Sequence, residues 1–243
     1  MQNKSLFLAS LIVIGVILLA IQNQQFNLFP ASSWSLPLSG KIIYLDPGHG
    51  GPDGGAEHGE AIEKDIALNI AIKLRDYLQQ QGALVLMTRE EDTDLANSTT
   101  KGLSRRKRED LQRRVEMINE SEAELFISIH LNSMPSPRWY GAQTFYSTRY
   151  LENKVFAELI QEELRENLEN TKRVAKPIEH VYLVKSVKKP GALVEVGFLS
   201  NPAERELLIR DDYQEKIAAA IYQGVMRYFT EEKDRIEKSG SNE

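Results

Sequence analysis

Four side chains in this sequence have types and positions that could support metal-assisted chemistry. His49 follows the apolar run KIIYL, and His130 follows the apolar run ELFISI. Glu63 begins a helical pattern, and Glu195 interrupts the apolar stretch ALVEVGF. Two imidazole nitrogens and one carboxylate oxygen are the usual ligands of catalytic zinc, which keeps a fourth position for water. Since the chain has no cysteine, His49, Glu63 and His130 form a candidate ligand set, although their spacing matches no local motif such as HExxH.

The glycine-rich segment YLDPGHGGPDGG around His49 admits three interpretations. It could be a tight structural turn, an anion cradle of backbone N–H groups, or a loop that holds a metal ligand at the end of a strand. The anion cradle is disfavoured because the segment lacks the GxxxxGK[ST] pattern of a phosphate loop. In the third interpretation, the glycines let the backbone approach a metal and its substrate closely.

Glu195 is an ionisable residue with apolar neighbours, because Val194 and Val196 flank it in the chain. Burial of an unpaired carboxylate is unfavourable and raises its pKa. The residue could therefore be a structural glutamate that is salt-bridged in the core or faces solvent on an edge strand. It could also be a catalytic carboxylate with a raised pKa, and this is the interpretation that we adopt.

Strand and helix patterns alternate along the chain and predict an α/β fold. Short apolar runs predict strands at residues 41–45, 83–88, 124–129, 143–147, 181–184 and 192–198. Helical periodicity predicts helices at residues 62–80, 103–121, 150–169, 201–208 and 213–229. We expect a single domain with a mixed, mostly parallel twisted sheet of about six strands, flanked by helices on both faces. Sites in such folds lie beyond the carboxyl ends of strands, which is where His49 and His130 stand.

Composition and the chain termini limit the class and location of the protein. The formal net charge is −5, so no overall basicity points to nucleic acid as a partner. The apolar N-terminus predicts that residues 1–26 are an uncleaved signal-anchor in the membrane, with a cleaved signal peptide as the alternative. Residues 27–40 read as a linker, 41–230 as the catalytic domain and 231–243 as a charged flexible tail. The domain should therefore act outside the cytoplasm, membrane-anchored or secreted.

Two further segments carry side chains of interest. The basic run RRKREDLQRR at residues 105–114 is interpreted as a solvated helix face, with contact to an anionic wall polymer or lipid headgroups as the alternative. Trp139 and Tyr140 lie in a loop after His130, and they are either anchors of that loop or a stacking platform for a sugar. His58 and His180 are interpreted as surface or hydrogen-bonded structural histidines.

Four ordered motifs resemble those of the type 3 zinc-dependent N-acetylmuramoyl-L-alanine amidases of bacterial cell walls. They are IYLDPGHGGPDGGA, EKDIALNIA, LFISIHLNS and KKPGALVEVGFLSNPAE, and the resemblance covers about residues 41–229. It implies that His49, Glu63 and His130 hold one zinc ion (Zn2+) per chain and that Glu195 is the essential acid/base. It also implies hydrolysis of the amide between the lactyl group of muramic acid and L-alanine of the stem peptide in peptidoglycan.

The short chain with an apolar N-terminus and no wall-binding module is similar to the sporulation- and germination-specific members that act on spore-cortex peptidoglycan in bacilli. That likeness implies muramic-δ-lactam formation together with a polysaccharide deacetylase, in the space between the forespore and mother-cell membranes, and leaves the need for an activator protein open. Asp46 and Asn132 are the nearest acceptors in sequence for the second nitrogens of the histidine ligands. Asn132, Trp139 and Tyr140 are the expected substrate contacts. The rival interpretations are a zinc peptidase that cuts within the stem peptide and a non-catalytic wall-binding protein.

Overall fold

Residues 36–232 are described by a computed structural model of the chain. The predicted membrane segment 1–26, most of the linker and the tail beyond residue 232 lie outside the described residues. Across residues 36–232, no helix combines the length and the apolar character needed to cross a membrane. Leu38, which the sequence analysis placed in the linker, is fully buried, and its N–H donates to Gln81 O at 2.9 Å. The end of the predicted linker therefore packs on the domain.

Six strands form one sheet, and two short strands form a separate hairpin. The strands are β1 (Ile42–Pro47), β2 (Glu57–His58), β3 (Ala61–Ile62), β4 (Leu84–Met87), β5 (Leu125–Asn132), β6 (Gln143–Tyr146), β7 (Lys176–Pro177) and β8 (Gly191–Phe198). The sheet has the order β4-β1-β5-β8-β6-β7, and β2 pairs with β3. The neighbours β4, β1, β5 and β8 are parallel, whereas β6 is antiparallel to β8. The mixed, mostly parallel sheet is confirmed.

Helices cover both faces of the sheet, as the sequence predicts. They are α1 (Glu63–Gln80), α2 (Leu103–Glu120), α3 (Leu151–Leu168), α4 (Tyr182–Ser186), α5 (Pro202–Leu208) and α6 (Asp211–Arg227), followed by a π-helical turn at Tyr228–Glu232. Helices α1, α3 and α6 pack together over one face and share the larger core with it. Helices α2 and α4 cover the other face, where Phe126 and Leu183 belong to a smaller core.

Helix α1 shows how residue spacing both builds the core and positions the site. Ile66, Ile70, Leu74 and Leu78 recur every four residues, and all four are buried. This stripe fixes one side of the helix against the sheet. Glu63 is the first residue of the helix, where the positive end of the helix dipole favours a carboxylate. Packing of this apolar stripe therefore fixes the position of the Glu63 carboxylate at the start of the helix.

One predicted strand is wrong. Residues 181–184 are not a strand, because residues 182–186 form helix α4. Leu183 and Val187 are buried four positions apart, which is helical spacing, and a run of four apolar residues cannot distinguish a strand from a buried helical turn. The expected number of strands is still right because β7, which the sequence analysis missed, pairs with β6.

Candidate active site

The three predicted metal ligands meet at the carboxyl edge of the sheet. His49 lies in the loop after β1, Glu63 begins α1 and His130 lies near the end of β5. Their ligand atoms all lie within 4.8 Å of one another. Glu63 Oε1 is 3.2 Å from His49 Nε2 and 3.0 Å from His130 Nδ1. Tetrahedral zinc, with bonds of about 2.0–2.2 Å to nitrogen and oxygen, separates neighbouring ligand atoms by about 3.3 Å. The donor types therefore fit zinc, and the two distances to Glu63 are close to this separation.

Backbone N–H groups fix the carboxylate of Glu63 within this cluster. Its Oε1 accepts from Leu131 N at 2.9 Å, and its Oε2 accepts from Ala56 N at 2.8 Å. Although burial opposes it, hydrogen bonds from His130 and His49 hold the pKa of Glu63 well below its usual range. The side chain is therefore ionised at neutral pH, as a metal ligand must be.

His49 is oriented by Asp53, a residue whose role the sequence analysis did not predict. Asp53 Oδ2 lies 2.9 Å from His49 Nδ1, which leaves Nε2 to face Glu63. Despite the opposing effect of burial, hydrogen bonds to Asp53 and Glu63 raise the pKa of His49 to about 9. A carboxylate behind the ligating imidazole fixes both the tautomer and the ring orientation, which is the usual arrangement around protein-bound zinc.

Two glycines leave room for the ligand side chains. A Cβ at Gly48 would overlap the ring of His130. A Cβ at Gly55 would lie 2.5 Å from Glu63 Oε2 and 2.7 Å from His49 Cδ2, and Gly55 has a φ of 74°. A side chain at either position would displace a ligand. Of the three interpretations of the glycine-rich segment, the structure favours the loop that holds a metal ligand.

Two buried arginines bind the backbone of the loop that carries His49. Arg114 donates to the carbonyl oxygens of residues 47 and 49, and Arg89 donates to those of residues 47 and 48. His49 has a φ of 60°, a left-handed conformation that costs a non-glycine residue about 1–3 kcal/mol. Because both guanidinium groups bind main-chain oxygens of this loop, they stabilise the conformation that turns His49 toward Glu63.

Arg114 and Asp46 differ from their sequence-based interpretations. Arg114 belongs to the basic run that we interpreted as a solvated face, yet it is fully buried and pairs with Asp46 Oδ1 and Asp110 Oδ2, both at 2.8 Å. Asp46 was expected to accept from a histidine nitrogen. Its oxygens instead accept from Arg114, Thr88 and Ser128. Asp46 therefore supports the site through Arg114, and Asp53 is the acceptor of His49.

Glu195 lies beside the ligand cluster on the neighbouring strand. It is the register partner of His130 across β5 and β8, so both side chains project from the same face of the sheet. Its Oε2 is buried and has no hydrogen-bond partner within residues 36–232. Burial, together with the nearby charge of Glu63, raises the pKa of Glu195 to about 7, although His130 and His49 act in the opposite direction. Such a carboxyl group can both accept and donate a proton near neutral pH.

The remaining predicted contacts lie near this edge but make no bond to the ligands. Asn132 ends β5, and its carbonyl oxygen accepts from Leu199 N at 2.9 Å. Trp139 and Tyr140 are 39% and 60% exposed, which leaves both rings accessible. His58 is hydrogen-bonded to Ser133 Oγ at 3.0 Å and His180 is exposed, as the sequence analysis expected.

Sequence reasoning missed Asp53, Arg89 and Arg114. Asp53 stands four residues after His49 in the same glycine-rich segment, and this proximity is a usable signal. Arg114 lies four positions before the buried Ile118, so helical spacing alone places it on the apolar face. For Arg89 we find no local signal, because its partners are main-chain oxygens remote in sequence.

Comparison with known proteins agrees with this geometry. The Amidase_3 profile, described as N-acetylmuramoyl-L-alanine amidase, matches residues 43–227. The germination-specific N-acetylmuramoyl-L-alanine amidase of Bacillus subtilis (strain 168) is 59% identical over 234 residues, which cover 96% of this chain and 99% of that protein.

Solved structures show the same similarity. The CwlD amidase of Clostridioides difficile, in complex with the GerS lipoprotein, is 43% identical with a TM-score of 0.76, covering 78% of this chain and 98% of that one. The catalytic domain of CwlV, an N-acetylmuramoyl-L-alanine amidase from Bacillus (Paenibacillus) polymyxa, is 29% identical with a TM-score of 0.68, covering 77% and 97%. The family match and the two-histidine, two-glutamate arrangement lead to one conclusion: this chain belongs to the N-acetylmuramoyl-L-alanine amidases and is a peptidoglycan-directed amide hydrolase.

Proposed function

We propose that the protein uses zinc, held by His49, Glu63 and His130, to hydrolyse the amide between the muramic acid lactyl group and L-alanine, with Glu195 moving the proton. The observation that carries this proposal is the buried, unpartnered Oε2 of Glu195 on the strand next to His130. A structural glutamate in the core would be expected to have an ion pair or a hydrogen-bond donor. Such a partner is missing for this oxygen in the described part of the chain.

The residues of the site divide the chemistry between them. A bound zinc ion would supply Lewis acidity, which polarises the scissile carbonyl and lowers the pKa of a water from about 15.7 towards 7. Glu195 accepts the proton of the attacking water as the new carbon–oxygen bond forms. The same carboxyl then donates this proton to the departing nitrogen of L-alanine as the carbon–nitrogen bond breaks. Glu195 ends the cycle ionised, as it began, and a pKa of about 7 suits both steps.

A role in the spore cortex is the narrower proposal. The 59% identity to a germination-specific amidase over nearly the whole of both chains supports it. Removal of the stem peptide would prepare muramic acid for muramic-δ-lactam formation, with a polysaccharide deacetylase as the functional partner. The solved amidase–lipoprotein complex supports testing for an activator protein. The domain would then act outside the cytoplasm, between the forespore and mother-cell membranes, with residues 1–26 as its membrane anchor or signal.

The test measures zinc content and products together for Glu195→Gln, His130→Ala and the wild type. Glu195→Gln should keep zinc and lose activity by several orders of magnitude, because a side-chain amide cannot accept the water proton. His130→Ala should lose both zinc and activity. Mass analysis of digested peptidoglycan should show intact stem peptides that begin at L-alanine. Fragments cut within the stem peptide would favour the peptidase, and full activity of Glu195→Gln would refute the proposed mechanism.

A further inference from the structure

A cationic cavity of about 760 Å³ lies between the loop after β5 and the end of α3. The loop after β5 contributes Arg138, Trp139 and Tyr140 to its lining, α3 contributes Arg165, and the segment after α3 contributes Lys172 and Arg173. Glu169 is the carboxylate on this lining. The cavity therefore joins four basic side chains to two exposed aromatic rings, a combination that the proposed chemistry does not use.

The basic residues of this cavity make no close ion pair within residues 36–232, although the charge of Arg173 acts on the buried Glu204. In the described part of the chain, none of Arg138, Arg165, Lys172 and Arg173 forms an ion pair with a carboxylate within 4.0 Å. This is notable because the whole sequence has an excess of acidic residues, with a net charge of −5. A concentration of unpaired cations around a concave surface favours an anionic ligand.

Arg173 is held in position and keeps donors available. Its Nε donates to Tyr140 O at 3.1 Å and its Nη1 donates to Gln143 Oε1 at 3.0 Å. The guanidinium also lies 5.8 Å from the Trp139 ring centre and 5.0 Å from that of Phe198. Guanidinium has five N–H donors, and the Nη2 group makes no hydrogen bond within residues 36–232. An arginine fixed in this way suits a planar carboxylate.

The strand register connects this cavity to the reacting centre. His130 pairs with Glu195, and Glu195 pairs with Gln143 on β6. Directly paired residues point to the same face of a sheet, and adjacent strands are about 4.8 Å apart. Gln143 is therefore one strand beyond Glu195, and its side chain binds Arg173. A substrate whose amide lies at Glu195 would reach the cavity within a short length of peptide.

We propose that this cavity binds a carboxylate of the stem peptide, the C-terminal one in a soluble substrate, and so positions the leaving side of the amide. The inference rests on the proposed function. The peptide is favoured over the glycan because the lactyl carboxyl is consumed in the scissile amide, whereas a peptide keeps its terminal carboxylate. Arginine binds carboxylates through charge-assisted, often bidentate hydrogen bonds, which add both affinity and orientation.

The experiment compares two soluble muropeptides that differ only in a C-terminal carboxylate or carboxamide. The full chain, loaded with zinc, should cleave both with a similar kcat, and KM should be about tenfold higher for the carboxamide, since loss of a charge-assisted hydrogen bond costs about this much. Arg173→Gln and the double variant Arg165→Gln with Lys172→Gln should raise KM for the carboxylate and remove this preference. Lys216→Gln removes an exposed cation of α6 outside the cavity lining, and this control should keep the preference.

Binding of the released peptide, measured by calorimetry, separates this inference from the proposed function. If the wild type hydrolyses neither substrate, the proposed function fails, and a preference for the carboxylate form of the free peptide still supports the cavity. Equal KM values and equal peptide affinities for the two forms would refute carboxylate binding in the cavity and leave the proposed amidase function unaffected. Polyphosphate serves as a second probe of the cavity. If the cavity variants lose polyphosphate binding but keep the wild-type ratio of KM values for the two substrates, the occupant is a polyanion and the proposal is refuted.

Discussion

Removal of Asp53 should weaken zinc binding without removing any ligand. Asp53 Oδ2 is 2.9 Å from His49 Nδ1 and 3.0 Å from Lys107 Nζ. Although burial opposes it, hydrogen bonds with His49 and Lys107 hold the pKa of Asp53 well below its usual range, so the residue is a carboxylate at neutral pH. It therefore accepts the Nδ1 proton of His49 and directs Nε2 toward Glu63, where zinc would displace the second proton that the ring carries at neutral pH.

The expected loss of zinc affinity follows from the contact that the His49 ring would lose. Loss of an outer carboxylate on a ligating histidine typically costs 10–100-fold in metal affinity, which is about 1.4–2.7 kcal/mol. Asp53→Ala should lie at the upper end, because His49 also has a φ of 60° and loses a restraint on its ring. Asp53→Asn should lie at the lower end, because an amide oxygen still accepts a hydrogen bond but has no charge.

The assay is a competition for zinc between the full chain and a chromogenic chelator. Lys107→Met is the matched control, since it removes the other charged partner of Asp53 and leaves the histidine contact intact. An exposed ion pair is worth about 0–1 kcal/mol, so the control should change zinc affinity less than about fivefold. Wild-type affinity in Asp53→Ala would refute the reasoning, as would an equal loss in Lys107→Met.

Three further predictions concern stability and space around the site. Arg114→Met leaves two buried carboxylates unpaired, so urea denaturation should show a loss of about 3–5 kcal/mol in the free energy of unfolding. Gly55→Ala puts a methyl group 2.5 Å from Glu63 Oε2, so zinc titration should show strongly impaired binding. The pKa of Glu195 rises from 4.5 to about 7 on folding, so the free energy of unfolding of the metal-free wild type should fall as pH rises from about 4.5 to 7. Relative to Glu195→Gln the fall should be about 3 kcal/mol, and a pH-independent difference between the two proteins would contradict this assignment.

The residues most accessible to sequence reasoning are those whose position follows from local pattern. His130 comes directly after one apolar run and His49 a few residues after another, and parallel strands end at one edge of a sheet. Glu63 starts a helix whose apolar stripe is regular, and Glu195 is conspicuous between valines. For Glu63, His130 and Glu195 the period of the helix or strand determines where the side chain points, whereas His49 lies in a loop. The prediction of residues 181–184 as a strand failed because four residues contain too little periodicity to identify an element.

The supporting contacts depend on pairings that no local pattern contains. Arg114 reaches Asp46 across 68 positions of sequence, and Arg89 reaches the carbonyl of Gly48 across 41. These contacts exist only after α2 and the end of β4 have packed against the loop that follows β1. Composition shows that such arginines are present but gives no sign of which of them is buried. Helical spacing can place Arg114 on the apolar face of α2, but its hydrogen-bond partners are known only once the helix has packed.

The contacts that support the ligand residues also bear on how the site is assembled. The loop that carries His49 is held by backbone carbonyl contacts to two arginines, and these contacts require no metal. Glu63 is likewise held by two backbone N–H groups that come from the loop and from β5. The ligands are thus positioned by the folded chain itself, so little further ordering should be needed when zinc binds. The left-handed conformation of His49 is stabilised by the same arginine contacts, and this explains why a strained residue and two buried cations occur together beside the candidate metal ligands.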